Sequence, residues 1–107
     1  MNFKNQYLTF GEYKLMGGEL NDEAPFDLYE AEAHLCLDRE TQNRLKKNES
    51  IPYEVKVCLF KLIEGFAFDG NYRDANTDEK NKYIERIIFN CLAGVIVDNQ
   101  NLLYRGI

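Results

Sequence analysis

The stretch from Asp22 to Lys47, DEAPFDLYEAEAHLCLDRETQNRLKK, constrains the fold more than any other part of the chain. Pro25 stands just inside a helix start, where its missing N–H costs nothing. Carboxylates crowd the first turns, while Arg39, Arg44, Lys46 and Lys47 crowd the last. That order matches the helix macrodipole, each charge adding roughly 0.3–1 kcal/mol, and it predicts one long helix over residues 22–46. Phe26, Tyr29, Ala33, Cys36 and Leu37 recur at the three-and-four spacing of a core-facing stripe, so this segment reads as the central helix.

Three further segments carry helical signals. Thr9-Phe10-Gly11-Glu12 has the form of a capping box that opens a short helix over 10–16, and Gly17-Gly18 supplies the positive φ that ends it. Leu8, Phe10, Tyr13 and Met16 give that helix an apolar face. Ser50 reads as the cap of a helix over 52–67, with Pro52 in its first turn and Val55, Cys58, Leu59, Leu62, Ile63 and Phe66 on one side. Asp78 and Glu79 open a last helix whose stripe is Ile84, Ile87, Ile88, Cys91, Leu92 and Val95. Its end is ambiguous, because glycine and β-branched residues in Gly94-Val95-Ile96-Val97 weaken a helix, and it is read as continuing to Val97.

Between the last two helices, residues 68–77 (FDGNYRDANT) are rich in turn formers and read as an exposed, mobile connecting loop. Residues 99–107 form a polar break followed by an extended apolar tail. The expected fold is therefore all-α: a bundle of three main helices and a short N-terminal one, with that tail, in a single domain over 1–107. With 107 residues, 45% of them hydrophobic, the chain supports one core and is too short for two.

The formal net charge of −5 opposes a nucleic-acid or anionic-membrane surface as the main partner, since phosphate binding relies on clustered Lys and Arg. Arg44, Lys46 and Lys47 leave a minor DNA-contact reading open. No apolar run approaches the ~20 residues that span a bilayer, and no secretory leader is visible, which leads us to expect a cytosol-like environment. Cys36, Cys58 and Cys91 are odd in number and far apart, and each lies in an apolar stripe. They read as small buried hydrophobes rather than as disulfide partners or metal ligands.

Catalytic chemistry finds little support in these residues. His34, the only histidine, stands four residues after Glu30 and can meet it on one helix face; a structural contact is the simpler reading. Ser50, the sole serine, is accounted for as a cap. Asp74, Asn76, Asp78 and Glu85 occupy positions 1, 3, 5 and 12 of a calcium loop, but Glu79 stands where glycine is needed and the loop would unwind a well-patterned helix. The expectation is a non-enzymatic protein with no cofactor and no metal. Phe3, Tyr7, Phe68, Tyr72 and Tyr104 lie outside the helical stripes, either as satellite packing or as contact points for partners.

Several blocks taken together carry a resemblance. They are Tyr7-Leu8-Thr9-Phe10-Gly11-Glu12-Tyr13 with Met16-Gly17-Gly18; Phe26, Tyr29 and Ala33 with Asp38-Arg39, Thr41 and Arg44-Leu45; Ile51-Pro52 with Glu54-Val55-Lys56; and Leu103-Tyr104-Arg105-Gly106. In this order the chain resembles the small head-tail connector proteins of tailed bacteriophages and prophages. The resemblance implies a structural virion protein, made in the bacterial cytoplasm, that sits as a ring, a dodecamer by family resemblance, at the head-tail junction. Its implied partners are the portal protein and a head-closure or tail protein, with DNA passing through unread. Leu102, Leu103, Tyr104 and Arg105 of the tail, with Phe68 and Tyr72 of the loop, are the expected interface residues, Tyr and Arg being frequent hot-spot anchors. The alternative is a small helical protein-interaction module or a weak nucleic-acid-binding regulator.

Overall fold

The computed structural model describes residues 6–41, 45, 51–97, 100, 101 and 103. Five helices follow one another: α1 (Phe10–Leu15), α2 (Glu23–Glu40), α3 (Tyr53–Phe68), α4 (Gly70–Arg73) and α5 (Thr77–Leu92). The fold is a small all-α bundle. After α5, β1 (Ile96–Val97) and β2 (Gln100–Asn101) pair antiparallel, Ile96 with Asn101 and Val97 with Gln100.

The start of α1 is the capping box read from the sequence. Thr9 Oγ1 accepts from the Glu12 N–H at 3.1 Å and the Glu12 carboxylate accepts from the Thr9 N–H at 3.0 Å. Gly17, at φ 95°, supplies the left-handed turn that ends it. α5 opens with a second capping box, Asn76 with Glu79, so the helix begins at Thr77. In that box Glu79 serves the cap, and Glu85 lies within the continuous helix.

α3 is the middle element, lying between α2 and α5 and packing most extensively against both. The expectation that 22–47 is the central helix is thereby corrected. Every apolar residue of the α3 stripe, Val55, Cys58, Leu59, Leu62, Ile63 and Phe66, is buried, whereas α2 buries one side only. The core joins these to Phe26, Ala33 and Leu37 of α2, Ile84, Ile88 and Leu92 of α5, and Leu8 and Tyr13 at the N-terminal end.

Several boundaries differ from the sequence reading. α2 stops at Glu40 instead of 46. Thr41 gives both its N–H and its hydroxyl to the Leu37 carbonyl, at 2.8 and 2.7 Å, and residue 45 is no longer part of the helix. A straight continuation would turn Leu45 roughly 120° away from Ala33, whereas Leu45 is in fact 1% exposed. α3 starts at Tyr53, with Pro52 at the N-cap position; Ser50 lies outside the described residues. α5 ends at Leu92 rather than Val97, and the β-branched pair Ile96 and Val97 goes into the short ladder.

The segment 68–77 is likewise not an irregular loop. Asp69 accepts from the Asn71 N–H at 2.9 Å and caps the single turn of α4. That turn carries Tyr72 into the core, where its ring lies 4.9 Å from Phe66 and 5.2 Å from Tyr83.

Candidate functional site

A buried polar cluster ties the N-terminal segment to α2. Asp27, Glu30, His34 and Asp38 recur every three or four residues along one side of the helix. Tyr7 lies over them, its ring stacked on the His34 imidazole at 3.7 Å between centroids and 8° between planes. The Tyr7 N–H donates to Glu30 Oε2 at 3.0 Å, and the Tyr7 hydroxyl donates to Asp38 Oδ1. Gln6 Nε2 donates to Asp27 Oδ1 at 2.9 Å. His34 sits between the carboxylates, Nδ1 3.6 Å from Glu30 Oε2 and Nε2 3.4 Å from Asp38 Oδ2. Burial pushes the Tyr7 phenol well above its ordinary range, and the hydrogen bond to Asp38 with the charges of Asp38 and Glu30 reinforces this.

Each carboxylate here is thus turned to a donor of the chain itself, which makes the cluster a clasp for residues 6–8. Sequence reasoning found the Glu30–His34 contact and missed Tyr7 and Asp38. The signal for Asp38 was present, since it stands four residues beyond His34 on the same face. Among the described residues, no group of three or more His, Cys, Asp or Glu side chains is placed to hold a metal ion.

The cysteines divide into two kinds. Cys36 and Cys58 are buried, and Cys91 is half-buried on α5. Cys58 of α3 and Cys91 of α5 act on each other's thiols, and the Lys61 charge acts on both. Donation from Cys58, aided by Lys61, lowers the Cys91 thiol against the opposing effect of burial; the same contact and burial raise Cys58. Lys61 is the basic neighbour of the pair.

Among the described residues, two of the exposed apolar surfaces are grouped around α2 and α5. On α2, Leu28 and Leu35 are 67% and 70% exposed, seven residues apart, with Ala24 and Ala31 completing a stripe on the side away from Phe26 and Ala33. The second surface is a groove of about 490 Å³ lined by Glu40, Glu85, Ile88, Phe89 and Leu103, with Phe89 63% exposed. Surfaces of this kind are characteristic of protein contacts.

The expected interface residues fall differently. Phe68 is exposed, beside a shallow hollow between α3 and α5. Tyr72 is only 8% exposed, so its expected role as a contact residue is replaced by core packing. Leu103 packs against the core instead of projecting from a free tail. Leu102, Tyr104 and Arg105 lie outside the described residues, as do Phe3, Arg44, Lys46 and Lys47.

Comparison with protein-family models, curated proteins and solved structures gives no match for this chain. Among the described residues, no helix is long and apolar enough to cross a membrane.

Proposed function

We propose that this chain is a structural adaptor of the head-tail connector type, acting through protein contacts. On this reading it docks on the portal at the capsid vertex, associates with further copies of itself as a ring, and presents a surface to a head-closure or tail protein. The observation that carries it is the pair of exposed apolar surfaces, the Leu28–Leu35 stripe and the Phe89 groove, left outside the core. The ordered sequence blocks given above supply the particular class. The acidic net charge of −5 suits a channel past which DNA slides without being held.

Binding of the purified full chain to tailless heads, or to isolated portal from the same locus, tests the proposal. Saturable binding is expected. A chain ending at Asn101 then reports whether the last residues anchor it. Absence of binding to portal of verified integrity overturns the connector reading.

A further inference from the structure

We propose that Cys58 and Cys91 form a peroxide-sensitive thiol pair: Cys91 is oxidised first, Cys58 then attacks it, and the resulting disulfide staples α5 to α3. The inference stands apart from the adaptor reading and its test involves no portal.

The packing of the two helices sets the cysteines opposite each other. The Tyr83 hydroxyl donates to Asp69 Oδ2 at 3.0 Å, at the C-cap of α3, and a Cβ on Gly65 would stand 2.3 Å from that hydroxyl. The end of α3 therefore lies beside the start of α5. One turn farther from that junction on each helix, Lys61 and Ile87 line the same hollow. The helices thus run antiparallel, in a register that sets residue 65 beside 83 and residue 61 beside 87. One more turn along both, roughly 5.4 Å, reaches Cys58 and Cys91. Cys58 belongs to the buried core and Cys91 packs against that core, so both side chains are turned into the contact between the helices. The effect of each thiol on the other agrees with this placement.

Exposure sets the order of reaction. Cys58 is 0% exposed, whereas Cys91 is half-buried in the last turn of α5, one residue before the helix ends. Hydrogen peroxide reaches Cys91 first, and the charge of exposed Lys61 favours the thiolate, which is the form that reacts. The Cys91 sulfur attacks one peroxide oxygen and the O–O bond breaks. Hydroxide leaves, takes up the proton that Cys91 released, and Cys91 becomes a sulfenic acid. The Cys58 sulfur then attacks the Cys91 sulfur, the S–S bond forms, and the S–O bond breaks, the departing hydroxide carrying the Cys58 proton away as water. Two thiols and one peroxide give one disulfide and two waters, with two electrons passing from the sulfurs to the peroxide.

Cys36 is the competing partner. It is buried on α2 and also acts on Cys58, but more weakly than Cys91 does. A bridge from Cys36 to Cys58 would join two buried thiols, neither of them open to the oxidant.

The test exposes the dilute full chain, reduced and freed of reductant, to graded hydrogen peroxide at neutral pH. Intact mass is expected to fall by two hydrogens. Peptide mapping without reduction is expected to join the Cys58 peptide to the Cys91 peptide, and a dithiol reductant to reverse both changes. The bridged chain is expected to melt at a higher temperature than the reduced one, because the closed loop restricts the unfolded state. C58A, which lacks the second thiol, should hold the sulfenic acid on Cys91 long enough for dimedone to trap it, while C36A should bridge as the wild type does. A bridge through Cys36, a bridge between two chains, or Cys91 carried on to sulfinic acid without a bridge in the wild type overturns the inference. A bridged chain that melts no higher than the reduced one overturns the staple. The wild-type peptide map decides the pairing even where C58A fails to fold.

Discussion

The ring of Tyr7 lies flat on the imidazole of His34, 3.7 Å between centroids, and the same tyrosine bonds through its N–H to Glu30 and through its hydroxyl to Asp38. One aromatic residue thereby closes the cluster over two buried carboxylates and a histidine. Y7F removes the donor to Asp38 while keeping the stack, and is expected to cost about 1–3 kcal/mol, the range for leaving a buried polar group unpaired. H34A is expected to cost at least as much, since both Glu30 and Asp38 lose a neighbour. The double variant should fall short of the sum, because the residues act as one network. Urea unfolding with unchanged m-values measures all three; strict additivity would show that the clasp is not coupled.

Gly18 is required by close packing. A Cβ there would stand 2.2 Å from the Tyr13 ring, which cannot retreat because its hydroxyl donates to Glu64 at 2.8 Å and accepts from the Leu20 N–H at 2.8 Å. G18A is expected to destabilise by about 1–3 kcal/mol through overpacking. At Gly17 the cost has a different origin, since the added Cβ meets nothing and only the φ of 95° resists it. G17A should therefore cost about 1 kcal/mol, the price of a left-handed residue. Equal losses measured by thermal unfolding would contradict the distinction.

Glu12 links α1 to α3 through Lys56. Burial pushes its carboxyl up, but hydrogen bonds from Lys56 and the Thr9 N–H, with the Lys56 charge, hold it below its ordinary 4.5. A carboxyl lowered by folding adds stability that is present above its unfolded value and is lost as pH falls through its folded one. The stability difference between wild type and E12Q is expected to be constant down to about pH 4.5 and to shrink below it. Chemical denaturation at a series of pH values reads that difference, and a gap that widens in acid would reverse the assignment.

Cys91 should be the reactive thiol. With Cys58 donating to it and Lys61 nearby, it is held below the ordinary thiol range, while burial pushes Cys36 up and, with the Cys91 contact, Cys58 too. Iodoacetamide at neutral pH is expected to label Cys91 first, as located by peptide mass. C58A removes the S–H donor and should slow that labelling. Cys36 reacting as fast as Cys91 in the folded chain would disprove it.

Alkaline titration gives the opposite sign for the tyrosines. Burial is the main cause that raises Tyr13, Tyr72 and Tyr83 to about 12 each, from 10.0. A group raised by folding adds stability that is present below its unfolded value and is lost as pH rises toward the folded one. Stability is therefore expected to decline between pH 10 and about 12, with phenolate absorbance from these three appearing late. Normal ionisation of all seven tyrosines in the folded protein would be inconsistent with their burial.

Local chemistry determined much of this protein before any folding partner was considered. The apolar stripe of α3 reads directly from spacing, because six residues at helical intervals have only one face on which to lie together. The Thr9–Glu12 box and the turn at Gly17 follow equally from residue types, since a cap is satisfied within four residues. The Asn76–Glu79 box has the same local form. Other features required the tertiary structure, for one physical reason: they depend on which groups from distant segments compete for the same interior. The dipole pattern of 22–46 favours a longer helix, yet Leu45 gains more from burial than from continuing it. Tyr7 and Tyr72 are polar enough for a surface, and only packing against His34 and Phe66 places them inside. Leu28 and Leu35 read like any helix leucines until α3 takes the other side of α2 and leaves them facing outward.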